Sequence, residues 1–371
     1  MNNNDLYIGA LSGTSLDAID IGLFSFTKSN TTFYHALNYP IPSVIKEACL
    51  QLMGSTVCDI EQLGILDNKL GLLFAEAIIA FLEKYQISPT TITAIGCHGQ
   101  TIHHKPNIDY PFTMQIGNPN IIAALTGITT IADFRRKDLA VGGQGAPLAP
   151  NFHAAMFSST QANRVIVNIG GISNISILHR DFDKPVLGFD TGPGNCLLDA
   201  WVQKNFNMPY DHNGDIAKKG KLIPALLNSM LADPYFQIAP PKSTGREYFN
   251  LAWLNKYLQN SQASFTTEEV QATLVQLTSK TISNVILSLL STSTMEIYIC
   301  GGGAYNQALL AALEQDLQQK VKLTTELGIA PDWVEAGLFA WLAQLRLLEQ
   351  PGNLPSVTGA SKAVVLGGVY V

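Results

Sequence analysis

Charge is scarce in this sequence. Asp, Glu, Lys and Arg make up 14% of its 371 residues, against the roughly 25% common in soluble domains. Such a content argues against disorder and suits a compact enzyme with much buried surface. Basic runs are also missing: the net charge is -6 and the densest basic cluster is Arg135-Arg136-Lys137. A general nucleic-acid binder would carry a basic stripe, so no nucleic-acid partner is expected. A localised phosphate site, which needs only backbone amides and a few cations, is not excluded. No CxxC pair occurs among Cys49, Cys58, Cys97, Cys196 and Cys300, and an odd count in so long a chain does not read as a disulfide framework. Reduced, mostly buried thiols are expected. The group His98, His103, His104 lacks the cysteine spacing that would complete a zinc site. No stretch reaches the ~18 uninterrupted apolar residues of a membrane span. Met1-Asn2-Asn3-Asn4-Asp5 has no basic segment of a secretory signal. A cytoplasmic protein without a membrane partner is the expectation.

Apolar residues are plentiful, at 47%. A chain of this length exceeds what one core usually fills, so two domains are expected. Tyr7–Leu11 and Ile19–Phe24 read as strands joined by the small-residue turn Ser12-Gly13-Thr14-Ser15, a hairpin. Leu63, Leu66, Leu70, Leu73, Ala77 and Phe81 recur at helical spacing and predict a helix from Ile60 to Gln86. Ile92–Cys97 is a strand running into a polar loop, His98-Gly99-Gln100-Thr101, at the strand end where α/β folds place ligands. Asn118 precedes a helix from Ile121 to Thr126, Thr129–Asp133 is strand-like, and the glycine-rich Val141–Pro147 reads as a loop between halves. The second half opens like the first: Arg164–Ile169, a stop at Gly170-Gly171, then Ile172–Leu178. Val186–Asp190 follows as a strand ending in the turn Thr191-Gly192-Pro193-Gly194-Asn195. Long helices are expected around Ala217–Met230 and Thr267–Leu290, a strand at Glu296–Cys300, a helix from Trp333 to Leu348 and a terminal strand at Ala363–Tyr370. The repeated strand–turn–strand opening is an echo of architecture, not a sequence repeat, and suggests two related α/β domains with a cleft between them.

Ser12-Gly13-Thr14-Ser15-Leu16-Asp17 combines hydroxyls, a glycine and successive amides that can form an anion-binding concavity, with Asp17 and Asp20 close by. Alone it reads more readily as an ordinary hairpin turn, and the density of Ser and Thr around one Gly shifts it towards function. No GxxxxGK[ST] occurs, which argues against a P-loop fold. Asn168 and the Gly170-Gly171 turn are a second phosphate-facing candidate, though alone they read equally as a plain hairpin, and Gly301-Gly302-Gly303 would admit a flat ligand such as adenine or ribose, though glycine triplets also occur in plain loops. Asp190, ending an apolar strand, is the candidate base for an attacking hydroxyl or water; a turn aspartate is the plainer reading. His98, Gln100 and Glu335 could meet a sugar, though a structural histidine and a helix-start acid explain two of them equally well. Asp133, Arg135, Arg136 and Lys137 read either as a solvated turn or, from their place beside the glycine-rich loop, as charge facing a cleft.

Seven stretches, in order along the whole chain, resemble the anhydro-N-acetylmuramic acid kinases of the actin, hexokinase and heat-shock-chaperone ATPase superfamily. They are Gly9–Asp20, Gly96–His104, Asp133–Asp138, Gly142–Leu148, Asn168–Asn174, Gly188–Asn195 and Cys300–Gly303. The departures are Ala10-Leu11 where Leu-Met is usual and Ala18 where Gly is usual. The resemblance implies two actin-like (ribonuclease H-like) α/β domains with an interdomain cleft for ATP and sugar, drawn at 1–130 plus about 355–371 and at 131–354. It implies ATP with Mg²⁺ as cofactors, an amino sugar as partner, and allows a homodimer. It also implies hydrolysis of the 1,6-anhydro bridge with phosphorylation of O6 in cell-wall recycling, with Asp190 as the base. Nucleotide contacts would come from Ser12, Gly13, Thr14, Ser15, Leu16, Asp17, Ala18, Ile19, Asp20, Asn168, Gly170, Gly171, Gly301, Gly302 and Gly303. Sugar contacts would come from His98, Gln100, Arg135 and Glu335, and the metal ligand is unassigned. A sugar kinase acting on a plain hydroxyl and a non-catalytic ATP-driven clamp are the alternatives.

Overall fold

The computed structural model describes residues 5–13, 15–27, 31–55, 57–240, 242–261, 264–290 and 295–371. They form two compact units, residues 1–156 with 333–371, and residues 157–332, whereas the sequence expectation drew its lines at 130 and 354. Among the described residues no helix is long and apolar enough to cross a membrane.

In the first unit, β1 (Leu6–Ser12), β2 (Ala18–Phe26) and β3 (Thr31–Pro40) form an antiparallel meander. β4 (Ile92–Lys105) lies parallel to β1 on its other side, followed by β6 (Thr130–Ala132) and the terminal strand Gly368–Tyr370, with β5 (Phe112–Ile116) paired to β4. Alternation along β1 turns Ile8 and Ala10 to one face, where they share a core with Leu70, Phe74 and Phe81 of the Ile60–Tyr85 helix. On the opposite face Gly9 and Gly96 let the Val334–Leu347 helix come down onto the sheet. A Cβ at Gly9 would overlap the Ala336 carbonyl, and one at Gly96 the Phe339 carbonyl. This helix ties residues after 332 to the first unit.

The second unit repeats the order. β7 (Asn163–Ile169), β8 (Ile172–Leu178) and β9 (Leu187–Pro193) are an antiparallel meander, with β10 (Met295–Cys300) and β11 (Lys322–Leu323) added in parallel beyond β7. Val165, Val167, Ile175, Ile177 and Phe189 pack with Leu274, Ile282 and Ile286 of the Thr267–Leu290 helix.

Four expectations are corrected. Gly99-Gln100-Thr101 is not a loop, because β4 runs on to Lys105 and Gln100 pairs with Ile116 of β5. Thr191-Gly192-Pro193 likewise continues β9. The helix foreseen around Ala217–Met230 is a 3-10 turn, Ala217–Lys219, and a separate helix, Pro224–Leu231. Pro224 starts that helix because its ring disfavours helical backbone in the residue before it. The terminal strand is only Gly368–Tyr370: Gly367 has φ 92°, and Val364 is hydrogen-bonded to Gly352 and Asn353 instead of to β6.

Candidate active site

Both sheets gather polar residues at the carboxyl ends of their parallel strands. In the first unit the β1–β2 hairpin carries the first predicted nucleotide turn. Leu16 and Ile19 are fully buried, so their side chains anchor the hairpin and only their backbone is available to a ligand. Leu16 adopts φ 55°, and its amide donates to the Gly13 carbonyl at 3.2 Å. A Cβ at Gly13 would meet none of the described residues beyond its chain neighbours within 4 Å, so open space lies there. Ser12 is buried and its Oγ has no hydrogen-bond partner among the described residues. Ser15 is exposed, Asp17 pairs with Lys46 at 2.6 Å, and Asp20 accepts a hydrogen bond from Asn38. Ala18 is half-buried at the start of β2. Thr14 lies outside the described residues.

The register of β4 against β1 slips between Ala10 and Leu11, which face Cys97 and Gly99. His98 is therefore an extra, bulged residue, and bulges re-aim side chains. Its ring lies against Phe339, with centroids 4.5 Å apart. Nε2 accepts from Arg135 Nε at 2.9 Å, and Nδ1 lies 3.2 Å from the Gly99 carbonyl, an arrangement that suits a neutral ring protonated at Nδ1. Burial, reinforced by the Arg135 charge, holds the His98 pKa well below its ordinary value. Arg135 also donates to the Gly145 carbonyl at 2.8 Å. Burial lowers its pKa to about 10 against the opposing fields of Glu335 and Asp138. His98, Arg135 and Glu335 thus form one group. Gln100 stands apart: it is 1% exposed, donates to the Thr101 carbonyl, and its Oε1 has no partner among the described residues. A pocket of about 170 Å³ opens beside His98, lined also by Asp67, Gln115, Asp133 and Arg136.

In the second unit Gly170 and Gly171 hold the start of the Asn195–Phe206 helix. The Asn195 amide donates to the Gly170 carbonyl at 2.8 Å, and those of Gly194 and Cys196 to the Gly171 carbonyl at 3.0 Å each. Cys300 of β10 faces Asn168 of β7, which brings the three following glycines to the same place. Gly301 and Gly303 are there for packing, since a Cβ on either would overlap Asn168 or Ile169. Among the described residues Gly302 has only Asn195 Nδ2 nearby, at 3.8 Å, and Gly170 only the Ile172 carbonyl, at 3.6 Å. Those two leave room for a ligand.

Asp190 sits next to a second bulge. It faces Asn174, while Gly192 faces Ser173, so Thr191 is the extra residue. The bulge is held by Thr191 Oγ1 and Ser173 Oγ, 2.6 Å apart. Around Asp190 the distant segment Lys242–Glu247 closes in. The Asp190 amide donates to the Lys242 carbonyl at 3.1 Å, the Thr244 amide donates to Asp190 Oδ2 at 3.0 Å, and Tyr235 Oη donates to the Asp190 carbonyl at 2.8 Å. Asp190 Oδ1 accepts no hydrogen bond among the described residues. Burial raises the Asp190 pKa to about 7, helped by Glu247 and opposed by the Thr244 amide and by Lys242. Lys242, 8% exposed, lies over the Tyr235 ring at 4.6 Å, and burial lowers its pKa. Lys242, Thr244 and Glu247 were not foreseen. The signal was there in Lys242-Ser243-Thr244-Gly245-Arg246-Glu247, hydroxyls and both charges around one glycine.

The two α/β units share one strand order, each with a glycine turn at the head of its sheet, and Asp190 stands near a strand end of the second. Residues 5–371 match the family model of anhydro-N-acetylmuramic acid kinase, and the chain belongs to that family. It is 51% identical over 365 residues to the anhydro-N-acetylmuramic acid kinase of Pasteurella multocida, covering 98% of this chain and 96% of that one. The Coxiella burnetii kinase of the same name is 50% identical, covering 98% and 97%. That of Saccharophagus degradans is 48% identical over 369 residues, covering 98% of each.

Proposed function

We propose that this chain is an ATP-dependent kinase for anhydro-N-acetylmuramic acid, opening the 1,6-anhydro ring and phosphorylating O6 in cell-wall recycling. The observation that carries the reading is Asp190. A general base is most effective when its pKa lies near the working pH, and this carboxylate has one oxygen fixed by Thr244 and the other free. Asp190 takes a proton from water as the water oxygen bonds to the anomeric carbon. The bond from that carbon to O6 breaks, and O6 bonds to the γ-phosphorus of ATP as the bond to ADP breaks. The products are N-acetylmuramic acid 6-phosphate and ADP.

Nucleotide contacts are assigned to Ser12, Gly13, Thr14 and Ser15, to the backbone from Leu16 to Ile19, and to Asp20, Asn168, Gly170, Gly171 and Gly301–Gly303. Open space at Gly13, Gly170 and Gly302 supports this. His98, Gln100, Arg135 and Glu335 are assigned to the sugar, with His98 holding Arg135 in place. Mg²⁺ would neutralise phosphate charge. Among the described residues no three His, Cys, Asp or Glu converge into a metal site.

Turnover in ¹⁸O-labelled water should place the label on the anomeric hydroxyl of the product. An unlabelled product would show a plain-hydroxyl kinase instead. Asp190→Asn should bind ATP and release no ADP; full activity in that variant would remove the base.

A further inference from the structure

The strand register places one more polar side chain in line with Asp190. Asn168 of β7 faces Asn174 of β8, and Asn174 faces Asp190 of β9. Directly opposed residues project from the same face of a sheet, with Cβ atoms about 4.5–5.5 Å apart. The three therefore form a row across the sheet, at the strand ends where the Gly170-Gly171 turn and Gly302 also lie.

Asn174 is the unusual member. Asparagine is disfavoured in strand interiors, and the rest of β8 is hydrophobic or serine. Asn168 is engaged within the chain, and Asp190 is held by Thr244. The half-buried Asn174 side chain makes no hydrogen bond among the described residues. Its amide is therefore open to water or a ligand, and its nearest neighbours in the row are an amide already engaged and the carboxylate of the proposed base.

We propose that Asn174 is a further catalytic residue, its side-chain oxygen accepting the second hydrogen of the water whose first hydrogen Asp190 removes. A water holding both hydrogens towards the sheet keeps a lone pair aimed away from it, at the carbon it attacks. Asp190 alone fixes one O–H direction and leaves the water free to rotate about it. Two acceptors fix the oxygen and its orientation, and such positioning is where much of a displacement's rate arises. No proton is transferred to Asn174; only Asp190 changes protonation. This inference rests on the base role proposed for Asp190.

The test measures steady-state kinetics and pH profiles of Asn174→Ala, Asn174→Asp and Asp190→Asn, with melting temperatures alongside. Asn174→Ala should lower kcat about 10- to 100-fold, with KM for ATP unchanged. Asn174→Asp keeps an acceptor but sets a second carboxylate beside Asp190, so the acid limb of its pH profile should move upward by about one unit or more. If Asn174→Ala stays within twofold of the parent, or the acid limb of Asn174→Asp does not move, the inference is wrong. Loss of the fold in both variants would make Asn174 structural and overturn it equally. An active Asp190→Asn enzyme is a separate outcome, which defeats the base assignment itself.

Discussion

Asp190 is pulled in opposite directions by its surroundings. Burial and Glu247 favour the neutral acid; the Thr244 amide and Lys242 favour the carboxylate, and the balance falls at about pKa 7. The proposed base must be ionised to accept a proton, so activity should fall as pH drops through that value. The profile of kcat/KM, which reports the free enzyme, should show an acid limb near pH 7, and a limb near the ordinary carboxylate value of about 4 would contradict it. His98 adds no limb in this range, because burial and Arg135 keep it neutral.

At the level of elements, both polar clusters depend on one inserted residue. His98 is the bulge in β4 and Thr191 the bulge in β9; without the bulges the ladder would carry each neighbouring side chain to the opposite face. The glycines under the Val334–Leu347 helix act by absence of a side chain. Gly9→Ala should destabilise the protein by about 1–3 kcal/mol or more, as overpacking does, and urea unfolding would measure it; a loss below a few tenths would show that the helix can lift away. Much of this was legible. The apolar strands, the small-residue turn after Ser12 and the Gly170-Gly171 stop mark the two hairpins, and local pattern is enough for that. The bulges were not legible, because an extra residue exists only relative to a partner strand. Lys242 and Thr244 reach Asp190 from more than fifty positions away, a proximity no local pattern encodes. The long helix read over Ala217–Met230 failed because periodicity outweighed Gly220 and Pro224.

At the level of the whole molecule, the second unit is one continuous stretch with its own core, while the first is assembled from two stretches. Residues 157–332 expressed alone should fold cooperatively, seen as a sigmoidal thermal transition by circular dichroism. Residues 1–156 alone should not, since the face of β1 and β4 that carries Gly9 and Gly96 would lack its helix. A cooperative transition in the shorter fragment would refute this. The same helix sets an order of events during synthesis. A ribosome makes the first unit's strands early, but the helix that covers them emerges only after some 330 residues have been translated. The middle of the chain can complete its fold while the beginning still waits. For that interval the face of the nascent sheet that carries Gly9 and Gly96 stays uncovered, until residue 347 is clear of the exit tunnel.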